Sequence, residues 1–181
     1  VEDGIGDLVD GLSRQLLVGR EAGGLGKLGR LASMTTDSLS ALKAFLEGVR
    51  SFRAHDLEQA RQALKRAVEI DSTFALAWWQ LAEASLWGGV LPELTLEAAA
   101  RAVRWIEGVP WREHQLILAF DALVRGDFPA GERHYRAVTR RYPENVSAWL
   151  GLSNLLELAP LHGRSKNVTD ISRQAYLEYE P

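Results

Sequence analysis

The sequence predicts an all-α chain of about four stacked helix pairs, preceded by one helix and a glycine-rich connector. Three observations predict it. Apolar residues recur with helical period along most of the 181 residues, and only six prolines interrupt them. A pattern of small and large residues returns at about 34 residues, the length of a helix–turn–helix repeat. The composition, 46% hydrophobic and 25% charged, fits one folded domain or one stretch of a repeat array rather than a disordered chain.

Leu8, Leu12 and Leu16, flanked by Val9 and Leu17, form the stripe of an amphipathic helix over residues 1–18, read as the end of a preceding domain. Residues 19–35 are glycine-rich, and each interior glycine costs a helix about 1 kcal/mol relative to alanine. They read as a connector. The array then occupies 36–181. Thr36 or Asp37 is the expected N-cap of a helix running through Ala54.

The first unit, 41–74, carries small residues at Gly48, Ala60 and Ala67, with Leu64 between the last two and a turn at His55-Asp56. A shift of about 34 residues carries Ala44 onto Trp78 and Gly48 onto Ala82, in the unit 75–111. The third unit, 112–145, turns at Gly126-Asp127, places Tyr135 at the large position and ends its second helix at Pro143. The fourth, 146–181, opens with SAWLGLSNLLEL and puts Trp149 where Trp78 stood. A long loop, APLHGRSKNVTD, and a final helix, ISRQAYLEYE, complete it.

On these residues the stretch 41–181 resembles the tetratricopeptide repeat (TPR) family, which implies a right-handed α-α superhelix. Small residues would let paired helices approach and large ones would fill the gaps. The chain departs from the family pattern in four places. Ser72 replaces the usual terminal proline, and Gly131 stands for alanine. The second unit is longer by about three residues around GGVLPELTLE, and the fourth has its long loop. TTDSLSALKAFLEG followed at once by repeats is also similar to a junction in large bacterial signalling proteins. There, TPR units follow a Ser/Thr kinase, an adenylate cyclase or a DNA-binding regulator. That resemblance implies a segment acting in cis as a sensor.

The TPR resemblance further implies that the first helix of each pair lines a concave groove. The inward positions would be Phe45, Val49 and Phe52, then Trp79, Glu83 and Leu86, then Leu116, Phe120 and Leu123, and finally Leu150 with Asn154 and Glu157. This face is apolar with a few acids, and two readings of it stand: it is covered by neighbouring repeats or by further sequence, or it is open to a hydrophobic peptide or helix. Phe45 and Val49 stand where chaperone-binding members carry lysine and asparagine, so an acidic C-terminal peptide is not the expected ligand. The expected function is protein–protein interaction, with an extended peptide or helix in the groove and no enzymatic activity or cofactor.

Other chemistry is weak in this chain. A net charge of −3 and scattered Lys and Arg give no reason to expect nucleic acid. The absence of cysteine removes disulfides, thiolate metal sites and a cysteine nucleophile. No apolar run approaches the roughly 18 residues that span a bilayer, so this segment is not expected to insert into a membrane. The abrupt ends, Val1 and Tyr179-Glu180-Pro181, read as those of a piece of a longer protein. The cytoplasm is the expected compartment, unless an upstream kinase tethers the chain across a membrane.

GGLGKLGR contains a literal G-x-G-x-x-G at Gly24, Gly26 and Gly29. A dinucleotide site needs a strand before that motif and a helix opening within it, and a helical stripe precedes it instead. It reads as a hinge. A P-loop fails too, because Leu28 is neither Ser nor Thr. His55, His114, His134 and His162 lack the i, i+3 or i+4 spacing of metal ligands on one helix. His162 shares its expected loop with Arg164 and Asp170. Glu132 with Asp127, and Glu97 with Glu93, read as solvated helix faces rather than acid–base pairs. The sequons at Asn145 and Asn167 read as chance matches. Trp87, Trp105 and Trp111 are expected to fill the space opened by the longer second unit.

Overall fold

A computed structural model describes residue 32 and residues 35–89 and 92–162, with side chains through Ala159. The helix expected over 1–18, the GGLGKLGR hinge and the final helix ISRQAYLEYE lie outside the described residues. Seven α-helices and no strand are present among those described: α1 (Leu39–Arg53), α2 (Leu57–Ile70), α3 (Ala75–Trp87), α4 (Pro92–Arg104), α5 (Trp111–Val124), α6 (Phe128–Arg141) and α7 (Val146–His162). The chain is all-α.

Each helix packs on the next in sequence, and the most extensive contacts join α1 with α2, α3 with α4, and α5 with α6. Between successive pairs, α1 also touches α3, and α5 touches α7. These contacts are local along the chain, each helix meeting its neighbours in sequence.

The hairpins are made by one turn used repeatedly. After α1, Ala54 N–H donates to Arg50 O at 3.0 Å, His55 to Phe52 O at 3.0 Å, and Asp56 to Ser51 O at 2.9 Å. After α5 the same pattern links Arg125 to Asp121 O, Gly126 to Leu123 O, and Asp127 to Ala122 O. His55, Gly89 and Gly126 hold the left-handed position, with φ of 61°, 60° and 76°. Position 55 to position 89 is 34 residues, and 89 to 126 is 37. Aspartate caps the helix after two of these turns: Asp56 accepts from Gln59 N–H at 3.0 Å and Asp127 from Ala130 N–H at 3.1 Å.

A second recurring device opens the first helix of a pair. Trp78 Nε1 donates to Ser72 O, and Trp149 Nε1 donates to Pro143 O, both at 2.8 Å and both six residues back. Ser72 thus occupies the place of Pro143. The proline is dispensable there because Asp71 fixes the turn through Thr73, accepting from its N–H at 2.9 Å and its hydroxyl at 2.7 Å.

Small-to-large packing holds the pairs together. A Cβ built on Gly48 would lie 2.5 Å from Leu64 Cγ, and one on Gly151 would lie 2.4 Å from the Tyr135 ring. Two apolar clusters result. The larger contains Phe45, Leu64, Phe74, Leu76 and Leu81 and reaches Ile117, Phe120 and Val124 of α5. The smaller contains Tyr135, Val138, Leu152 and Leu155 and takes Leu116, Ala119 and Leu123 from the other side of α5. Helix α5 is therefore apolar on two faces because both are covered.

Three expectations are corrected. The N-cap of α1 is Ser38, whose hydroxyl accepts from Ala41 N–H at 3.2 Å, not Thr36 or Asp37. Thr36 instead accepts from Ser38 N–H and donates to Asp71, so it is spent on the turn after α2. Helix α7 runs to His162 and takes in Ala159–His162, which were expected in the long loop; Leu158 and Ala159 pack on the smaller cluster and extend the helix. Of the three tryptophans expected to fill the second unit, only Trp105 packs on the core. Trp87 is 54% exposed and Trp111 39% exposed. The extra length is absorbed in the connecting backbone, and Trp111 stacks at the surface against Tyr142 and under the Arg141 guanidinium.

Candidate interaction face

The expected groove residues divide by depth. Phe45, Val49, Leu116, Phe120 and Leu123 are buried, so they hold helices together rather than forming an open wall. Phe45 packs on Phe74 with ring centroids 5.0 Å apart. Ala32, wholly buried, belongs to the same cluster as Phe45 and Val49. Phe52, Trp79, Glu83 and Leu86 are half-buried, and Leu150 is 60% exposed.

The open apolar surface concentrates on α7. Val146, Trp149, Leu150 and Leu156 are 68%, 50%, 60% and 44% exposed, while Ala148, Leu152 and Leu155 face the smaller cluster. Positions 146, 149, 150 and 156 fall on one side at helical spacing. Large apolar side chains scattered singly need no explanation, but four on one helix side form a patch.

Trp79 and Glu83, one turn apart on α3, occupy a different environment. Trp79 packs against both apolar clusters, and its buried Nε1 has no hydrogen-bond partner among the described residues. Glu83 accepts from Gln80 Nε2 at 2.8 Å and joins no ion pair among the described residues. Burial pushes its pKa up to about 7, against the smaller opposing effect of the Gln80 hydrogen bond. Tyr135 of α6 lies within electrostatic reach, and its own pKa is raised by burial and then by the Glu83 charge.

Several other acids have partners. Glu132 pairs with Arg136 at 2.6 Å, Glu97 with Arg101 at 3.4 Å, and Asp127 is a helix cap, which fits their reading as helix-face acids. Glu113 is 5% exposed and accepts from Arg112 Nε at 2.6 Å; nothing in the periodicity distinguished it from a surface acid. His55 sits in a turn. His114 and His134 lie on α5 and α6, and His134 Nδ1 is 2.7 Å from Gln115 Oε1. Burial, then the charges of Arg133 and His114, lower the His134 pKa. His162 ends α7, and its expected loop partners lie outside the described residues. No cluster of three or more His, Asp or Glu residues suited to a metal occurs among those described.

A polar cleft of about 740 Å³ lies where the chain before α1 meets the turns after α2 and α4, lined by Thr36, Ser38, Asp71, Thr73, Arg104 and Trp105. Sequence reasoning missed it, because its walls come from three separate turns. Asp71 is its most constrained group: burial raises its pKa, but hydrogen bonds from Thr36 and Thr73 outweigh that and leave it below the ordinary value. With its carboxylate oxygens already engaged, this cleft is a structural junction.

The chain matches no family model and no curated protein sequence. No helix among the described residues is long and apolar enough to cross a membrane.

Proposed function

We propose that the chain is a protein-interaction module of TPR type, a right-handed stack of helix pairs. Helices α1, α3, α5 and α7 would be the first helices of their units and would form its concave face. Its partner is an extended peptide or an amphipathic helix, and it acts without a cofactor or an enzymatic step. The repeat reading is supported by the left-handed turn residues at positions 55, 89 and 126, and by the matched indole bonds of Trp78 and Trp149. The binding reading is carried by one observation: the open apolar side of α7, with Val146, Trp149, Leu150 and Leu156.

The test uses a displayed panel of amphipathic helical peptides, selected on the wild-type chain and re-measured on Leu150→Asp. Leu150 is exposed, so the variant should keep its helical circular dichroism while losing most of the selected binders. Binders indifferent to Leu150→Asp, or a panel with none, would sink the reading. Phe45→Ala serves as a contrast, because it removes a core ring and should cost about 3–5 kcal/mol of stability.

A second reading, a cis-acting regulatory segment of a bacterial kinase, cyclase or transcriptional regulator, has its own support. Ala32 is buried with Phe45, and Thr36 is bonded to Asp71, so the chain entering the array is tied to its first hairpin. Movement upstream would be transmitted rather than lost in a free tether.

A further inference from the structure

Several arginines of this chain are paired along their own helices: Arg101 with Glu97, Arg125 with Asp121 and Arg136 with Glu132. Arg141, in the last turn of α6, is exposed and joins no ion pair among the described residues. Aromatic rings hold it instead. Its guanidinium lies 4.8 Å from the centre of the Trp111 ring and 5.7 Å from that of Tyr142. Stacking of this kind uses the flat face of the guanidinium and leaves its N–H edge for bonds in the plane.

This cation stands beside the start of the open side of α7. The turn from α6 to α7 is tight: Asn145 N–H donates to Tyr142 O at 3.0 Å, and Trp149 Nε1 reaches back to Pro143 O at 2.8 Å. One turn therefore joins Tyr142, the ring beside Arg141, to Trp149, the half-exposed indole of the patch. Val146 and Leu150 flank that indole, 68% and 60% exposed. Glu144, the acid in the turn, is exposed and does not pair with Arg141. About two turns on from Leu150, the exposed Glu157 carries the opposite charge. The surface thus runs from a cation, across an open apolar stripe, to an anion.

We propose that this surface receives an amphipathic helix with carboxylates at one end, seated on Val146, Trp149 and Leu150 with its acids on Arg141. This rests on the reading of the chain as a peptide- or helix-binding module, and it names the chemistry of the partner. Guanidinium and carboxylate make charge-assisted, often paired hydrogen bonds, roughly twice as strong as neutral ones. Trp111 and Tyr142 already orient the Arg141 side chain, so less freedom is lost when a carboxylate arrives. The positive end of the α7 dipole adds to the same attraction. Arg112, 5.7 Å from the Tyr142 ring, contributes less because Glu113 already neutralises it. Glu157 repels acids at the other end, so charge sets the direction in which the partner lies. Phe45 and Val49, which carry no cation, are buried and take no part.

The experiment compares three synthetic leucine- and alanine-rich helical peptides: one with two glutamates in its first turn, one with them in its last turn, and one with glutamines at both places. Dissociation constants are measured at neutral pH on the wild-type chain and on Arg141→Gln, with circular dichroism confirming that the variant is folded. One glutamate peptide should bind wild type about tenfold more tightly than the glutamine peptide, the other should not, and the preference should disappear on Arg141→Gln. Equal binding of all three to wild type, or an equal gain for both glutamate peptides, would overturn the proposal while leaving the module reading intact. A glutamate preference that survives in Arg141→Gln would do the same, by placing the selectivity elsewhere. If no peptide binds, both readings fail.

Discussion

Thr36 donates its hydroxyl to the Asp71 carboxylate, joining the chain that enters α1 to the turn that leaves α2. Thr36→Val keeps the shape and removes the donor. It should cost about 1.5–3 kcal/mol in urea unfolding at pH 7, the range for a hydrogen bond to a charged group. The pKa of Asp71 is below its ordinary value in the folded chain, so its contribution is complete above the unfolded value of 3.8 and is lost as pH falls through the folded one. The gap between wild type and variant should therefore narrow in acid below that value. A gap unchanged by acidification would show that the threonine acts through packing instead.

His55 and Gly126 occupy the same place in two copies of one turn, both with positive φ. A side chain in that conformation is strained by about 1 kcal/mol, and glycine is not. His55→Gly should raise the thermal midpoint, partly offset by the extra freedom of the unfolded chain, and Gly126→Ala should lower it. Opposite signs at two matched positions are the expected result of a differential scanning experiment. Equal signs would mean that the turns are not energetically alike.

Glu83 predicts an unusual pH profile. Its folded pKa is raised to about 7 from 4.5, so between these values the native chain binds more protons than the unfolded one. Stability from this group is thus greatest below 4.5 and declines as pH rises toward 7. Glu83→Gln should stabilise the free chain by about 2 kcal/mol at pH 8, somewhat less than the full shift implies because part of the residue meets water. At pH 4 the gain should vanish. Guanidinium unfolding at both pH values checks the sign.

Gly151 touches the ring of Tyr135 where any Cβ would overlap it. Gly151→Ala should destabilise the chain by about 1–3 kcal/mol through overpacking. Combining it with Tyr135→Leu should recover part of that loss, a coupling that a double-mutant cycle measures directly.

The helices and their pairing were legible because each depends on local pattern: apolar period, a cap, a turn. The small residue at Gly48 and the large one at Leu64 meet as their spacing implied. Burial by neighbouring helices was one of two readings of the groove residues, but which of them are buried was not legible. Phe45 and Leu150 were assigned equivalent positions in their units, yet one packs on Phe74 inside the larger cluster and the other is open. Exposure is set by what neighbours a residue in the stack, and equivalent positions in different units have different neighbours. The same reason hid Thr36, whose partner lies 35 residues away. No periodicity marks an acid left without a cation, which is why Glu83 stood out only once its surroundings were known.

Helix α5 carries a consequence for the order in which the chain is made. Its Ile117, Phe120 and Val124 complete the larger cluster, while Leu116, Ala119 and Leu123 await residues of α6 and α7. During synthesis the first half can close as soon as α5 leaves the ribosome, whereas the opposite stripe stays bare until the last described helix arrives. For that interval the nascent chain presents an adhesive edge, and a translational pause after α5 would lengthen its exposure to neighbouring chains.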